Sequence, residues 1–396
     1  MSLKLDLNEI EKRIEQGYIR RQWTADKSLM IVNYTMRCAV ERAWDDITLL
    51  TRGLILNADG TIHSRSFKKF FNLGEPPGPS IHELPAEEPL ITVKEDGFLG
   101  ISYWHDGKIK VASRGSFTSE YAVWATQWLR DRLPAHILQF EDACGASNDT
   151  FVFEILYPHR RIVVDNSDRY GLVLLAVIDN TTGLPIPRER LEWLAESNNL
   201  PIVEQVNFRD IEHCTEIASE ADGTESEGYI AYYPKADVRV KIKGADYRRI
   251  HRMVTRLTAH TIWEVYAWDD VLNRIKPRPA REAAAKMEEL KKLLPDTYRD
   301  WCDAKEVEFL TATNAILAQI SDAVVHARMK YLTGGQKTIT AELRKDIVIF
   351  LQTYHEPVWR EALYVLDGAP NRAVALVWKR IEPGHELPLA RDGEDE

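Results

Sequence analysis

Ile91-Thr-Val-Lys94-Glu95-Asp96-Gly97-Phe98-Leu-Gly-Ile-Ser-Tyr-Trp104 sets a lysine at the end of an apolar strand, follows it with Asp-Gly, and runs into a second alternating apolar stretch. Two readings fit. Asp-Gly is a favoured hairpin dipeptide, so the stretch suits an ordinary β-hairpin. The sharper reading is an amine aimed into a pocket from a strand end, for which the tetrapeptide alone is a weak signal. The companions of this stretch along the chain have to decide.

Upstream, Thr51-Arg52-Gly53-Leu-Ile-Leu-Asn57-Ala-Asp59-Gly60-Thr-Ile-His-Ser-Arg65 reads as two strands joined by an Asn-Ala-Asp-Gly turn. It leads into Phe67-Lys68-Lys69-Phe70-Phe71-Asn72, where the phenylalanines suit a core with both lysines solvated beside it. A loop, Gly74-Glu-Pro-Pro-Gly-Pro-Ser80, separates this cluster from the lysine stretch. Downstream, Lys108 to Ser113 is a strand ending at Arg114, and Ser119 to Leu133 has helical spacing. Phe151-Val-Phe-Glu154-Ile-Leu-Tyr157 is a strand whose apolar run is interrupted by one carboxylate, a costly group to bury without a partner. Arg160-Arg161-Ile-Val-Val164 and Leu172 to Ile178 are expected as further strands, and Pro187 to Asn198 as a helix. Glu227-Gly228 opens another strand. Val238-Arg-Val-Lys241-Ile-Lys243 alternates so that both lysines share one face.

Composition narrows the class. The 396 residues allow two or three domains, and 44% hydrophobic with 28% charged residues is ordinary for a globular protein. The apolar run from Gly171 to Ile178 is far too short to cross a bilayer, and the N-terminus lacks a signal-peptide core, so a cytoplasmic protein without membrane partners is expected. Cys38, Cys144, Cys214 and Cys302 stand singly, which suggests neither a disulfide framework nor a zinc site. The net charge of −10 argues against an overall basic coat. A local basic track nevertheless runs through Lys235, Arg239, Lys241, Lys243, Arg248, Arg249, Arg252 and Arg256, against only Asp237 and Asp246. Acidic residues gather at Asp392, Glu394, Asp395 and Glu396.

From Asp246 onward the period changes to 3.6, with helices expected at roughly 246–266, 279–293, 300–327, 339–353 and 357–366. The expected fold class is α+β: residues 1–250 as a domain of mostly antiparallel sheets with flanking helices, and residues 251–396 as an all-α domain.

The ordered set Arg52-Gly, Lys69-Phe-Phe-Asn-Leu-Gly-Glu, Lys94-Glu-Asp-Gly, Phe153-Glu154 with a following Arg-Ile-Val, Glu227-Gly-Tyr-Ile-Ala and Lys241-Ile-Lys243 followed by Tyr247 resembles the covalent nucleotidyltransferase superfamily. More closely it resembles the type 1 ATP-dependent RNA ligases typified by T-even bacteriophage tRNA repair. The resemblance is specific from about residue 50 to 250 and faint beyond. It implies an adenylyltransferase domain with the ATP-grasp-like ligase fold, followed by a helical domain concerned with the choice of RNA.

The resemblance also implies roles. Lys94 would attack the α-phosphate of ATP, and Lys241 and Lys243 would assist at the phosphates. Arg52 and Lys69 would contact the triphosphate tail, with Arg114 standing near a basic position of the family. Glu154 would hold the ribose hydroxyls, and Glu227 would bind Mg²⁺ or Mn²⁺, for which carboxylate oxygen is a suitable ligand. Asp269 and Asp270 match an acidic pair near the start of the helical domain, a second candidate for metal as well as for a helix cap. Where relatives set an aromatic ring against adenine, Leu172 to Val177 offers aliphatic side chains. Glu95 is a candidate for a salt link beside the lysine.

An unperturbed lysine has a pKa of about 10.4, so the chemistry needs Lys94 deprotonated, and neighbouring Lys241, Lys243 and a metal would lower its pKa. The activity implied is joining of RNA 3′-hydroxyl and 5′-phosphate ends through lysyl-AMP and RNA-adenylate, as in the repair of cleaved tRNA, by a monomer. DNA ligases and capping guanylyltransferases are the nearest alternatives, but those usually carry a β-barrel after the second lysine pair, where this chain is helical. A non-catalytic RNA-binding module using the basic track alone would have no need of the full set.

Overall fold

The computed structural model of the chain describes residues 4–132, 149–269, 271–292, 294, 296–332, 339–355 and 357–384. Cys144, Asp270 and the acidic residues at 392–396 lie outside them. The chain splits into two compact units, one reaching His251 and one from Arg252 to Ala390, with the boundary inside the helix Ala245–Arg256.

In the first unit, β1 (Ile19–Trp23), β2 (Leu29–Tyr34), β3 (Arg52–Asn57) and β4 (Ile62–Ser64) pair antiparallel in chain order. β5 (Phe71–Asn72) and β6 (Leu90–Val93) begin a second sheet that is completed much later. β7 (Phe98–His105), β8 (Lys108–Ser113), β9 (Asp149–Leu156) and β10 (Gly171–Asp179) form a third, antiparallel in the order β10-β9-β7-β8. β11 (Gly228–Tyr233) and β12 (Val238–Lys243) close the second sheet as β5-β12-β11-β6, antiparallel except for the parallel pair β5 and β12.

Period-2 alternation fixes what each sheet buries. On β12, Val240 and Ile242 pack with Ala231, Cys214 and Ala218 beneath the helix Ile211–Glu220, which leaves Lys241 and Lys243 on the opposite face. One face of the third sheet, through Phe153, Ile155, Leu172 and Leu174, packs on Tyr121 and Leu129 of the helix Glu120–Arg132 and on Leu191 and Leu194 of the helix Arg188–Ser197. Its other face, through Leu99, Ile101 and Val152, meets Leu29, Ile31 and Ile55 of the first sheet. Each such side chain contributes about 1.5–3 kcal/mol by leaving water, so the register of these strands is strongly specified.

Several expectations are corrected. Lys94-Glu-Asp-Gly is no hairpin turn: β6 and β7 belong to different sheets, and the tetrapeptide carries the chain from one to the other. Gly97 is required by close approach, because a Cβ there would lie 2.5 Å from the Ile155 carbonyl oxygen. Arg160 to Val164 forms no strand, since the amides of Val163 and Val164 donate instead to Asp96 Oδ2 at 2.8 and 2.7 Å. The helix Ile211–Glu220 was not expected. The segment expected at 246–266 is two helices, Ala245–Arg256 and Ala259–Ala267, broken where Thr258 caps the second through a reciprocal bond with Thr261.

The second unit contains the helices Ala259–Ala267, Ala280–Lys291, Asp296–Tyr331, Ala341–Leu351, Val358–Leu366 and Pro370–Arg380, the last of which was not expected. Ile320, Val324, Ile347, Leu351, Ala362 and Val377 form its core. Among the described residues it departs from an all-α unit only in a two-residue pairing of Trp268–Asp269 with Arg274–Ile275. No described helix is long and apolar enough to cross a membrane.

Candidate active site

Strand register in the second sheet builds the site. Tyr229 of β11 lies opposite both Val93 and Ile242, so the next rung brings together Lys94, Gly228 and Lys243. The Lys94 amide donates to the Gly228 carbonyl at 2.8 Å, which fixes the lysine at the sheet end. Two residues along the same face stand Thr92, Ile230 and Lys241. Gly228 has φ +129°, and a Cβ there would meet the Ile242 carbonyl oxygen at 2.0 Å, so only glycine fits. Glu227, just before it, reaches between the two lysines: Lys94 Nζ donates to Oε2 at 2.5 Å, and Lys243 Nζ lies 2.9 Å from Oε1. Glu154 arrives from β9 of the third sheet, its Oε1 accepting the Gly97 amide at 3.1 Å.

A second group of cations meets this one. Lys69 Nζ donates to Tyr34 Oη at 3.1 Å and sits 5.0–5.5 Å from the ring centres of Tyr34, Trp44 and Phe71, an aromatic box for an ammonium. Arg114 also lies over the Tyr34 ring, at 5.4 Å. Phe70 carries Lys241 at 5.0 Å and Arg52 at 5.7 Å. Lys69 is thus not solvated as expected, whereas Lys68 is exposed and faces Asp237 at 3.7 Å. Arg52 Nη1 is buried without a hydrogen-bond partner. Among the described residues no carboxylate lies within ion-pair distance of Arg52, Lys69 or Lys241. Buried cations without a protein anion are costly, and a polyphosphate would satisfy them.

Electrostatics separates the two groups. Burial pushes the Lys94 ammonium down, but Glu227 and then Glu154 outweigh it, and the net pKa lies above the usual lysine value. The expectation of a depressed Lys94 pKa is therefore not met, because the nearest charge is a carboxylate. Glu227 is raised by burial and held below its usual value by Lys94 and Lys243. Lys241 is the strongly depressed lysine, first through burial and then through Lys69, Arg52, Lys94 and Lys243. Burial pushes Glu154 up to about 7, with Lys94 opposing. Burial also raises the Tyr34 phenol, yet Arg114, Lys69 and Arg52 together hold it below the usual tyrosine value.

Sequence reasoning missed Tyr34, which gathers three cations, and Asp96, which serves as more than a turn residue. Asp96 is 6% exposed; Oδ2 accepts the Val163 and Val164 amides, and Oδ1 accepts Tyr247 Oη at 2.6 Å. The only sequence signals were a tyrosine at a strand end and an Asp-Gly that turn chemistry already explained. Glu95 does form a salt link, with Arg169, which the sequence reading had not singled out. In the run 172–177, Leu172, Leu174 and Val177 face the helices, while Val173 packs with Leu156 and Val203.

The sequence model of the RNA ligase family matches residues 50–247, the span that holds all of these side chains in the first unit apart from Tyr34 and Trp44. The chain belongs to the RNA ligase family. It is 22% identical over 427 residues to an RNA ligase of Rhodothermus phage RM378, covering 90% of each chain. It is 24% identical over 265 residues to a putative RNA ligase of Thermovibrio ammonificans, covering 64% of this chain and 67% of that one. Among solved structures, an archaeal ATP-dependent RNA ligase is 13% identical with a TM-score of 0.46, over 92% of this chain and 96% of the other. A variant of the Naegleria gruberi RNA ligase solved with ATP and Mn is 17% identical with a TM-score of 0.35 over 43% of this chain, which spans about half of that one, 53%.

For a member of the RNA ligase family, the placement of carboxylates decides how a divalent ion could be held. Both Glu227 oxygens are taken by ammonium groups, so an ion held there would take one of them only after an ammonium has moved off, and would need other oxygens for the rest of its shell. That suits Mg²⁺, which is commonly bound through one or two carboxylates plus phosphate oxygens. Asp269 belongs to the second unit: its Oδ1 accepts the Val271 and Leu272 amides at 3.0 Å each, and its Oδ2 accepts Lys276 at 3.1 Å, so it caps a turn. Asp270 lies outside the described residues. The basic track is no continuous surface in this RNA ligase family member. Arg239 stacks on Tyr232 at 3.6 Å and pairs with Asp237, while Arg248 and Arg249 pair with Glu75 and Asp246 at 2.6 Å each.

Proposed function

We propose that this protein joins RNA 3′-hydroxyl and 5′-phosphate ends in three ATP-dependent steps, as a cytoplasmic monomer repairing cut RNA such as tRNA. One observation carries the reading within the family: Lys94, Glu227 and Lys243 converge at a sheet end beside the carboxylate-free cations Arg52, Lys69 and Lys241. In the first step the Lys94 amine, having lost its proton, attacks the α-phosphorus of ATP. A nitrogen–phosphorus bond forms, the bond from α-phosphorus to the bridging oxygen breaks, and pyrophosphate leaves. Arg52, Lys69, Arg114 and Lys241 hold the tail, and their positive charge meets negative charge building on the phosphoryl oxygens.

In the second step an oxygen of the RNA 5′-phosphate displaces Lys94 from the AMP phosphorus. In the third, the RNA 3′-hydroxyl oxygen attacks the 5′-phosphorus, AMP leaves, and a phosphodiester remains. Glu154 accepts from a ribose hydroxyl, and Val173, Leu156 and Val203 supply apolar surface beside it. Mg²⁺ or Mn²⁺ at Glu227 would add charge neutralisation at the phosphates. Glu227 must release Lys94 for the amine to react, since their contact favours the ammonium.

The helical second unit supports the reading over DNA ligases and capping enzymes, which usually carry a β-barrel there. We assign that unit the choice of RNA. The test is to offer a 5′-phosphorylated RNA, a nicked DNA duplex and α-labelled GTP in parallel with ATP and Mg²⁺. RNA joined with ATP supports the proposal; sealing of DNA alone, or label from GTP alone, contradicts it.

A further inference from the structure

The loop between β9 and β10 crosses behind the lysine stretch and grips it at consecutive residues. Val163 and Val164 donate their amides to the Asp96 carboxylate. Asn166 Nδ2 donates to the Asp96 carbonyl oxygen at 3.1 Å. Arg169 spans both Glu95 oxygens, Nη1 to Oε1 at 3.1 Å and Nη2 to Oε2 at 2.6 Å, and its Nε donates to Asn166 Oδ1 at 3.2 Å. A further bond, from the Asp165 amide to the Thr224 carbonyl at 3.3 Å, ties the loop to the segment that enters Glu227.

These contacts are unequal in what they demand. The Glu95 side chain is 4% exposed while that of Arg169 is 47% exposed, so a solvent-side arginine reaches inward to a carboxylate that would otherwise be buried alone. A bidentate guanidinium fixes the plane of the carboxylate as well as its charge, which a lysine would not do. Glu95 follows the nucleophile directly, and its carbonyl oxygen lies 3.4 Å from Lys94 Nζ. The Lys94 amide is already held from the other side by Gly228.

We propose that Arg169, braced by Asn166, is a positioning residue for the lysyl-AMP step: it fixes the Glu95-Asp96 peptide so that the Lys94 amine projects toward the nucleotide. The proposal rests on the ligase reading above. In the step it serves, a bond forms from Lys94 nitrogen to the α-phosphorus, pyrophosphate departs, and the amine proton goes to solvent. In sealing of RNA that is already adenylylated, a 3′-oxygen is the nucleophile and Lys94 forms no bond. A residue that only orients Lys94 should therefore matter for one step and not the other, whereas general damage to the fold lowers both.

The experiment uses the full chain with Mg²⁺ and measures two single-turnover rates: labelling of the protein by α-labelled ATP, and sealing of pre-adenylylated RNA without ATP. For Arg169→Ala the expected result is a labelling rate lowered about 10- to 100-fold, the size of effect typical when a supporting contact to a reacting group is lost. Sealing should change by less than about 3-fold. Arg169→Lys should fall between, and added guanidinium should restore part of the labelling in Arg169→Ala. Equal losses in both steps, or none in either, overturn the proposal. Should Arg169→Ala fail to fold, Glu95→Gln removes the same link at near-constant volume; the same selective loss supports the proposal, and normal labelling overturns it. Wild-type protein that neither labels nor seals contradicts the ligase reading itself, a different result from an active wild type with a non-selective variant.

Discussion

Glu227, with Glu154 behind it, holds Lys94 as an ammonium, whereas the neighbouring cations Arg52, Lys69 and Lys241 have no carboxylate within ion-pair distance among the described residues. Glu227 satisfies Lys94 and Lys243, while Lys241 pays the full desolvation of a buried amine next to Lys69 and Arg52. Glu154 lies between these regimes. Its pKa is raised on folding from 4.5 to about 7, so its contribution to stability is intact below the unfolded value and is lost as pH rises through about 7. Glu154→Gln keeps an acceptor for the Gly97 amide and removes the buried charge. We expect the variant to be more stable than wild type by about 1–3 kcal/mol near pH 8, with the gain vanishing near pH 4. Thermal melts at the two pH values check this, and a gain that does not depend on pH would contradict it.

At the scale of elements, the strands of the first unit were largely legible because their alternation leaves one choice of face; β12 shows this directly, with Lys241 and Lys243 opposite Val240 and Ile242. What escaped was sheet membership. Nothing local in Lys94-Glu-Asp-Gly says that β6 and β7 pair with different strands, and the Arg-Ile-Val-Val run has the composition of a strand although its amides serve Asp96. Asp96 joins three elements: the lysine stretch, the β9–β10 loop and, through Tyr247, the helix Ala245–Arg256. Tyr247→Phe removes the Oη donor and leaves one oxygen of a buried carboxylate without that partner. The expected cost is about 1–3 kcal/mol in denaturant unfolding, and an unchanged midpoint would show that the bond does not couple these elements.

For the whole molecule, the packing period changes from 2 to 3.6 near Asp246, and the two compact units divide between His251 and Arg252, inside the helix Ala245–Arg256. The use of each unit was less legible. The residues read as carrying chemistry fall between Arg52 and Lys243, inside the first unit, except for Asp269, which caps a turn, and Asp270. The basic track, which looked in sequence like one surface, divides between the site and local ion pairs: Lys241 and Lys243 stand in the site, while Arg239, Arg248 and Arg249 are each paired with a nearby carboxylate, Asp237, Glu75 and Asp246. A chain ending after Leu257 should accordingly still form lysyl-AMP while losing its discrimination among RNA substrates. Label lost together with discrimination would place part of the chemistry in the second unit.

The central claim is that Lys94 is the point at which AMP becomes attached. Incubating the full chain with Mg²⁺ and α-labelled ATP, then separating it on a denaturing gel, tests this most directly. The account predicts covalent label on the wild type and none on Lys94→Ala, with both proteins folded by circular dichroism. Label persisting on Lys94→Ala would contradict it.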